Sequence, residues 1–271
     1  MNESRISNVF KSSPLGAGGH GILNVYCTAG YPQLDSTIKV MKALQDNGAD
    51  LIELGMPYSD PLADGPVIQE SGAKAIANGM TIEKLFEQLK GFRSSPLGAG
   101  GQGIYVPIIL MGYMNPVLQF GFEKFCQYCA DAPIDGLILP DLPEHEYETE
   151  YGAIIQRYGL DFIFLVTPET SEERIRKLDS LSSGFLYAVS SSSITGSDKD
   201  FSPVETYLEK LQKMNLKNPI LVGFGIKDKT TFNMACKHAN GAIIGSAYIK
   251  ALEHSNDIEA TTKSFLNSIL K

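Results

Sequence analysis

The alternation of short apolar runs with amphipathic segments constrains the fold of this 271-residue chain more than any other feature of its sequence. Most of the runs are continuously apolar, as expected for strands that are buried on both faces. The predicted strands cover residues 23–27, 51–53, 105–111, 136–139, 162–166, 185–190, 220–223 and 242–245. The amphipathic segments predict helices over 34–47, 82–91, 121–131, 146–158, 171–181, 203–215, 229–238 and 247–270.

Eight strands and eight helices in strict alternation predict a closed parallel (β/α)8 barrel of the α/β class, built as a single domain over residues 1–271. An open doubly wound sheet is the alternative, although it usually has fewer strands or an edge to cover. Residues 3–11 are predicted to form a short extra helix that closes the bottom of the barrel.

Composition excludes several classes of function. The net charge of −8 and the pI near 5.1 argue against nucleic acid or an anionic membrane as the main partner. The N-terminus lacks the apolar core of a signal peptide, and the longest uncharged stretch, 94–122, is interrupted by prolines, so we expect a cytoplasmic protein. Cys126 and Cys129 have C-x-x-C spacing without a second ligand pair nearby, and we interpret them as half-buried helix thiols rather than a zinc or redox site.

A glycine-rich segment occurs twice. Residues 12–22 read SSPLGAGGHGI and residues 94–104 read SSPLGAGGQGI, and no third copy exists, which excludes a solenoid. Glycine-rich loops can cradle phosphate. However, each copy precedes a predicted strand and therefore belongs to the N-terminal face of the barrel, away from the face where barrel enzymes perform their chemistry. We interpret both copies as surface insertions.

The stretch DLIELGMPYSDPLADGPVIQ at 50–69 carries the first candidate site. Glu53 lies where a buried strand ends, and Asp60 and Asp64 follow in a loop that three prolines stiffen. A carboxyl group at the end of a buried strand, facing another on a stiff loop, is what proton-transfer chemistry requires. The alternative is that Glu53 caps the strand and the aspartates only solvate the loop.

The last three predicted strands each run into a segment of small residues, at 190–196, 223–226 and 245–246. In a (β/α)8 barrel, glycine amides and a helix N-terminus in these loops often bind a phosphate. The sequence therefore predicts a site for a phosphate monoester, with the loop after strand six as its lid.

ELGMPYSDPLADGPVIQ closely resembles the signature of the tryptophan synthase alpha subunit family. The likeness continues in TAGYP (28–32), LMGYMNP (110–116), LPDLP (139–143), GFGI and GSA, and it covers the chain apart from the two glycine-rich segments. The resemblance implies a TIM barrel and a retro-aldol cleavage of indole-3-glycerol phosphate to indole and glyceraldehyde 3-phosphate. It implies no metal and no organic cofactor in this chain.

The resemblance also implies residue roles. Glu53 matches the family's principal acid–base residue, Asp64 matches the carboxylate that engages the indole N–H, and Tyr187 matches a tyrosine that positions the substrate and Glu53. The implied substrate-binding residues are Tyr26, Met111 and Tyr113 at the indole, and Thr195, Gly196, Gly225, Gly245 and Ser246 at the phosphate. Ser191–Ser193 depart from the family pattern, which leaves the dynamics of the lid open.

Chemical reasoning agrees with the two carboxyl roles. Indole is a poor leaving group as a carbanion, whereas protonation at C3 turns the ring into an electron sink. One carboxyl must therefore be partly protonated near neutral pH, which burial at a strand end achieves by raising its pKa. The other must stay ionised, and a solvated loop position suits that requirement.

The resemblance implies an αββα complex with a beta subunit that carries pyridoxal phosphate. The face that includes 57–66, with 115–116 and 141–143 on the same rim, would dock this partner. A stand-alone lyase that releases free indole is the alternative. A sugar-phosphate isomerase would need carboxylates at the ends of strands one and five, where the chain has none. A non-catalytic activator predicts the loss of Glu53, Asp64 and Tyr187, which are all present.

Overall fold

The structure is a computed structural model that describes residues 4–12, 21–94, 103–189, 202–223 and 225–271. It contains a nine-membered parallel sheet in the order β5-β4-β3-β2-β1-β9-β8-β7-β6. The strands are β1 Ile22–Thr28, β2 Leu51–Gly55, β3 Ile108–Met111, β4 Gly136–Ile138, β5 Asp161–Phe162, β6 Leu165–Val166, β7 Leu186–Val189, β8 Ile220–Gly223 and β9 Gly241–Ile244.

β5 and β6 are two halves of one barrel strand. β5 pairs with β4 and β6 pairs with β7, so the sheet closes through this segment. Between the halves, Ile163 N donates to the carbonyl of Leu137 (3.0 Å) and Tyr187 N donates to the carbonyl of Phe164 (3.0 Å). The predicted eight-stranded parallel barrel is thereby confirmed.

The helices lie outside the barrel, except that α1 covers its bottom. They are α1 Arg5–Ser12, α2 Thr37–Asp46, α3 Pro66–Ala77, α4 Ile82–Leu89, α5 Met114–Phe120, α6 Phe122–Asp131, α7 Glu144–Glu146, α8 Gly152–Arg157, α9 Glu172–Leu181, α10 Ser202–Lys213, α11 Lys229–Cys236, α12 Ser246–Glu253 and α13 Ile258–Leu270. A 3₁₀ turn (Leu34–Ser36) precedes α2, and a π turn (Tyr147–Tyr151) joins α7 to α8. A helix that could span a membrane is not found within the described ranges of the chain.

Three features differ from the predicted helices. α3 and α5 were not predicted, because their prolines indicated loops. Pro66 and Pro116 instead occupy first-turn positions, where the missing N–H costs no hydrogen bond. The predicted helix 247–270 is two helices, since the Asp257 side chain accepts from Ala260 N (3.0 Å) and starts α13 anew.

The N-terminal helix α1 closes the bottom of the barrel, as predicted. Ile6 is fully buried and packs against inward-facing strand residues such as Ile22 and Leu51. Asp135 anchors the helix, because its carboxylate accepts from Arg5 Nε (2.5 Å), Arg93 Nη2 (2.5 Å) and the backbone N–H of Ile108 (2.7 Å). This end of the barrel is held by a carboxylate whose two oxygens are both paired.

The glycine-rich segments fall largely outside the described residues, so their predicted role as insertions stays a prediction. The flanks of the second segment are described. Ile104 N donates to the carbonyl of Phe92 (3.1 Å), and Arg93 Nη1 donates to the carbonyls of Ile104 (3.1 Å) and Val106 (3.0 Å). The two described flanks of the segment are thus held close together.

The two cysteines of the C-x-x-C spacing lie on α6. Cys126 and Cys129 are free thiols, and both are fully buried against the barrel wall. Burial raises the pKa of each thiol, to about 12 for Cys126. Both side chains belong to the core and are buried more deeply than the half-buried position predicted from the sequence. A reactive cysteine needs an accessible thiolate, which this position does not offer.

Side-chain alternation along the strands decides which residues face the barrel interior. On β1, Leu23 and Val25 pack outward against the helices while Ile22 belongs to the interior cluster. Asn24 and Tyr26 therefore point inward, because successive side chains alternate between the faces of a strand. On β2, the same rule places Glu53 inside, two residues above Leu51.

Candidate active site

A cavity of about 460 Å³ lies at the carboxyl ends of the barrel strands. Eight of the eleven predicted site residues line it: Tyr26, Glu53, Asp64, Met111, Tyr187, Gly225, Gly245 and Ser246. Tyr113 contacts this site through the loop that carries Asp64. Thr195 and Gly196 lie outside the described residues. A larger groove of about 930 Å³ lies between α2 and the start of α13, and none of the predicted site residues lines it.

Glu53 is fully buried on β2, beside Tyr26 of β1 and Ile109 of β3 in the strand register. Its Oε1 accepts from Asn24 Nδ2 at 2.6 Å, whereas Oε2 has no hydrogen-bond partner within the described parts of the chain. Burial raises the pKa of this carboxyl to about 8, although the hydrogen bond from Asn24 opposes the shift. Glu53 is therefore partly protonated near neutral pH.

Asp64 lies in the loop before α3 and is only partly buried. Burial raises its pKa to about 6, and a hydrogen bond from the Tyr113 hydroxyl opposes the shift. The same Tyr113 oxygen accepts from the backbone N–H of Ala63 (3.1 Å), which ties the loop to the rim of the barrel. At neutral pH Asp64 is mainly ionised, so the cavity holds one protonated and one ionised carboxyl.

Tyr26 and Tyr187 line the cavity from β1 and β7, and each lies over a glycine of a neighbouring strand. A Cβ atom at Gly55 would overlap the Tyr26 hydroxyl, and a Cβ atom at Gly223 would overlap the Tyr187 ring. Burial raises the pKa of both phenols well above the ordinary value, so they remain protonated. Met111, at the end of β3, adds an apolar side chain to the same wall.

The opposite end of the cavity is built from backbone amides. Gly225 adopts a φ of 31°, in the left-handed region that favours glycine, and follows β8. Gly245 and Ser246 lie at the start of α12, and the first N–H groups of a helix point out of its N-terminus. Such a helix start attracts a negatively charged group such as a phosphate.

Two lysines at this end were missed by the sequence reasoning. Lys227 follows Gly225 by two residues, and Lys250 lies one helical turn after Ser246. Both line the cavity and are exposed. The i, i+4 spacing between Ser246 and Lys250 was the available signal, because residues four apart share a helix face.

Comparisons with known proteins identify the family of this chain. The family model described as tryptophan synthase alpha chain matches residues 16–269. The chain belongs to the tryptophan synthase alpha chain family. It is therefore a carbon–carbon lyase of tryptophan biosynthesis, and its substrate in the alpha reaction is indole-3-glycerol phosphate. The resemblance noted in the sequence is confirmed at the level of the family.

Individual relatives support the assignment over most or nearly all of the chain. The tryptophan synthase alpha chain of Flavobacterium johnsoniae is 55% identical over 235 residues, which are 86% of this chain and 90% of the relative. That of Parabacteroides distasonis is 47% identical over 269 residues, covering 99% of this chain and 98% of the relative.

Solved structures in this family share the fold. Tryptophan synthase subunit alpha from Legionella pneumophila str. Paris superposes with a TM-score of 0.86 at 32% identity, covering 99% of this chain and 98% of that one. A chain of M. tuberculosis tryptophan synthase in its aminoacrylate-bound form gives a TM-score of 0.82 at 29% identity, covering 98% and 99%.

Asn24, which contacts Glu53 from behind the cavity wall, was also not predicted from the sequence, like Lys227 and Lys250. It is fully buried on β1 and is not among the residues that line the cavity. Its only sequence signal was a polar side chain inside the apolar run ILNVYCT. The structure explains the polarity, because the Asn24 amide donates to Glu53.

Proposed function

We propose that Glu53 and Asp64 are the two catalytic carboxyl groups of the retro-aldol cleavage, and that the chain works as the alpha subunit of an αββα tryptophan synthase. The observation that carries the first part is the pair of carboxyl groups in one cavity, with pKa values of about 8 for Glu53 and about 6 for Asp64. When the environments of two carboxyl groups separate their pKa values, one group can be protonated while the other is ionised. The first then acts as the acid and the second stabilises positive charge.

The proposed reaction needs one proton donor that later accepts a proton. The protonated Glu53 donates to C3 of the indole, which leaves a cationic indolenine ring. The ionised Asp64 accepts a hydrogen bond from the indole N–H, and its negative charge stabilises that cation. Glu53, now ionised, takes the proton of the glycerol hydroxyl next to the ring, the carbon–carbon bond breaks, and its electrons neutralise the ring. Indole and glyceraldehyde 3-phosphate leave, and Glu53 is protonated again.

No step of this scheme requires a metal or an organic cofactor in the chain. Protonation at C3 supplies the electron sink, and the two carboxyl groups supply all proton transfers. We infer that pyridoxal phosphate belongs only to the beta subunit. The phenol of Tyr187 is close enough to Glu53 for the charge of that carboxylate to raise its pKa, and we propose that Tyr187 positions the substrate. Tyr26, Met111 and Tyr113 are proposed to form the walls around the indole.

The phosphate is proposed to bind at the other end of the cavity. The amides of Gly225, Gly245 and Ser246 supply neutral donors there. Thr195 and Gly196 complete the set that the family resemblance implies. Lys227 and Lys250 add two positive charges to this end in a chain whose overall charge is −8. The local charge therefore favours an anionic substrate although the protein as a whole is acidic.

The partner proposal rests on the solved relatives and on the rim of the barrel. Several of the solved neighbours are chains of M. tuberculosis tryptophan synthase. In the present chain, Leu62 on the loop beside Asp64 is 95% exposed. Tyr58 on the same loop accepts from Asn115 Nδ2 (3.0 Å), which joins this loop to the start of α5. An exposed leucine on a held loop is suited to burial against a beta subunit.

The test is to incubate the purified chain with indole-3-glycerol phosphate and to follow the release of indole and glyceraldehyde 3-phosphate. Slow release alone and a sharp rise on adding a beta subunit support the αββα proposal. Equal rates with and without the beta subunit favour a stand-alone lyase. The Asp64→Asn variant, which keeps the shape but not the charge, is expected to lose about 10²–10⁴-fold in kcat. Near-normal turnover by Asp64→Asn rejects the role given to this carboxylate.

A further inference from the structure

Asn24 places a primary amide in the interior of the barrel. Burying such a group costs free energy unless its donors and acceptors are paired. Here only half of the amide is satisfied. Nδ2 donates to Glu53 Oε1 at 2.6 Å, and Oδ1 accepts no hydrogen bond from any described residue. The stability of the fold does not account for the residue, because an apolar side chain of similar shape would remove the unpaired oxygen.

The single hydrogen bond makes the two oxygens of Glu53 different. Oε1 is held by Asn24, while Oε2 has no partner among the described residues although the side chain lines the cavity. A carboxyl held by one oxygen keeps a fixed orientation and presents the other oxygen to a ligand. Proton transfer depends on such alignment, because the donor must lie within hydrogen-bond reach of the reacting atom.

We infer that Asn24 is a positioning residue for the lyase reaction, which fixes Glu53 through Oε1 and leaves Oε2 as the oxygen that exchanges protons with the substrate. The inference rests on the proposed role of Glu53. It adds that a residue outside the cavity wall determines which oxygen of Glu53 reacts.

Asn24 also affects the charge state of Glu53. An N–H donor favours the ionised carboxylate, so it lowers the pKa that burial raises. The titratable groups that face this carboxyl are the phenols of Tyr26 on β1 and Tyr187 on β7. The thiol of Cys27, on the outward side of β1, is close enough for the charge of Glu53 to raise its pKa. The carboxyl of Asp64 lines the same cavity from its loop. None of these groups carries a positive charge, so among the described residues Asn24 is the group whose hydrogen bond stabilises the anion of Glu53.

The test compares wild type with Asn24→Leu, which keeps the shape and removes the amide. We expect kcat to fall roughly 10-fold, because Glu53 loses its orientation. The KM for indole-3-glycerol phosphate should be unchanged, because Asn24 does not line the cavity. The alkaline limb of the kcat/KM profile should move upward by about one pH unit, as expected for the loss of a hydrogen bond to a charged group. A purely structural residue would not move this limb.

A second variant, Asn24→Asp, keeps the test possible if Asn24→Leu does not fold. Asn24→Asp has the same size, and its carboxyl would share one proton with Glu53, so the alkaline limb should again move upward. The ¹³C chemical shift of the Glu53 carboxyl carbon, followed through a pH titration without substrate, should show the same change in midpoint in either variant.

The outcomes separate this inference from the proposed function. If Glu53→Gln retains turnover, the role of Glu53 itself fails. If Glu53→Gln is inactive while a folded Asn24 variant keeps the wild-type kcat, pH profile and Glu53 titration, only the role of Asn24 is overturned. An inactive Glu53→Gln together with the expected changes in the Asn24 variants supports both.

Discussion

Two buried carboxyl groups at opposite ends of the barrel are held in different ways. Asp135, at the bottom, accepts from two arginines and one backbone N–H, and both of its oxygens are paired. Glu53, at the mouth, accepts a single hydrogen bond from a neutral amide, and one oxygen has no described partner. Both side chains are almost completely inaccessible to solvent.

The difference shows that the partners of a buried carboxyl decide what burial does to its charge state. Paired with guanidinium groups, a buried carboxylate joins segments that are distant in the sequence, here α1, Arg93 and β3. Without a cationic partner, burial instead makes ionisation costly and keeps a proton on the group near neutral pH. The number and charge of the partners, rather than burial alone, distinguish a structural acid from a candidate catalytic acid.

The largest effect is expected for Glu53→Gln. Loss of the acid–base group should lower kcat by about 10²–10⁴-fold. The same substitution should make the folded protein more stable at alkaline pH. The folded carboxyl has a pKa of about 8 against an ordinary value of 4.5, so the folded state binds this proton more tightly than the unfolded state. Wild-type stability therefore falls as pH rises from about 4.5 to about 8, and glutamine removes this loss.

Urea unfolding at pH 5 and at pH 8 measures the stability part of that prediction. Glu53→Gln should unfold at a higher urea concentration than wild type at pH 8, and the gap should shrink at pH 5. A variant that is inactive and also less stable than wild type at pH 8 would contradict the view that Glu53 is retained for chemistry.

The matching change at the bottom of the barrel is Asp135→Asn. It leaves Arg93 without its anionic partner, so we expect a loss of about 2–3 kcal/mol in the free energy of unfolding. This figure is below that of a fully buried pair because Arg5 is 46% exposed. Lyase activity per folded molecule should be unchanged. If the kcat of folded Asp135→Asn fell as far as the kcat of Glu53→Gln, the two ends of the barrel would not be independent.

The pH dependence of kcat/KM tests the division of charge between the two carboxyls that are proposed to be catalytic. The proposed active form has Asp64 ionised and Glu53 protonated. Activity should therefore rise as pH increases through about 6, the pKa of Asp64, and fall as pH increases through about 8, the pKa of Glu53. Each limb should approach a tenfold change per pH unit. A profile that is flat from pH 5 to 9 would rule out this assignment.

A smaller effect is expected at the phosphate end. Lys250→Gln should raise the KM for indole-3-glycerol phosphate by about 2–5-fold at low ionic strength, and the difference should shrink in high salt, because the side chain is exposed and its charge is screened. Lys263→Gln, an exposed change on α13 away from the cavity, is the matched control. Equal KM values for the two variants would remove Lys250 from the phosphate site.

The smallest effect is expected from shortening the second glycine-rich segment. Deletion of residues 96–101 should leave kcat intact, because Phe92, Arg93 and Ile104 already hold the two ends of the segment together. Circular dichroism checks the fold, and the indole assay checks the rate. A folded variant with a large loss of kcat would show that the segment participates in turnover.

The sequence was sufficient to predict the barrel and most of the candidate site. Alternating segments predicted the strands, and the motif around Glu53 and Asp64 placed both carboxyls at one end of the barrel. The partner of Glu53 was not predictable, because Asn24 is 29 positions away and its role depends on which strand faces are paired. α3 was missed because Pro66 indicates a loop by composition, whereas its position at a helix start becomes visible only in three dimensions.

Gly55 and Gly223, which lie beneath Tyr26 and Tyr187, affect the shape of the cavity. Since a methyl group at position 55 or 223 would displace a phenol ring that borders the cavity, one added carbon would reshape the space available to the ligand. A single substitution at either position would therefore change the shape of the cavity through a residue that does not itself carry a polar or titratable side chain.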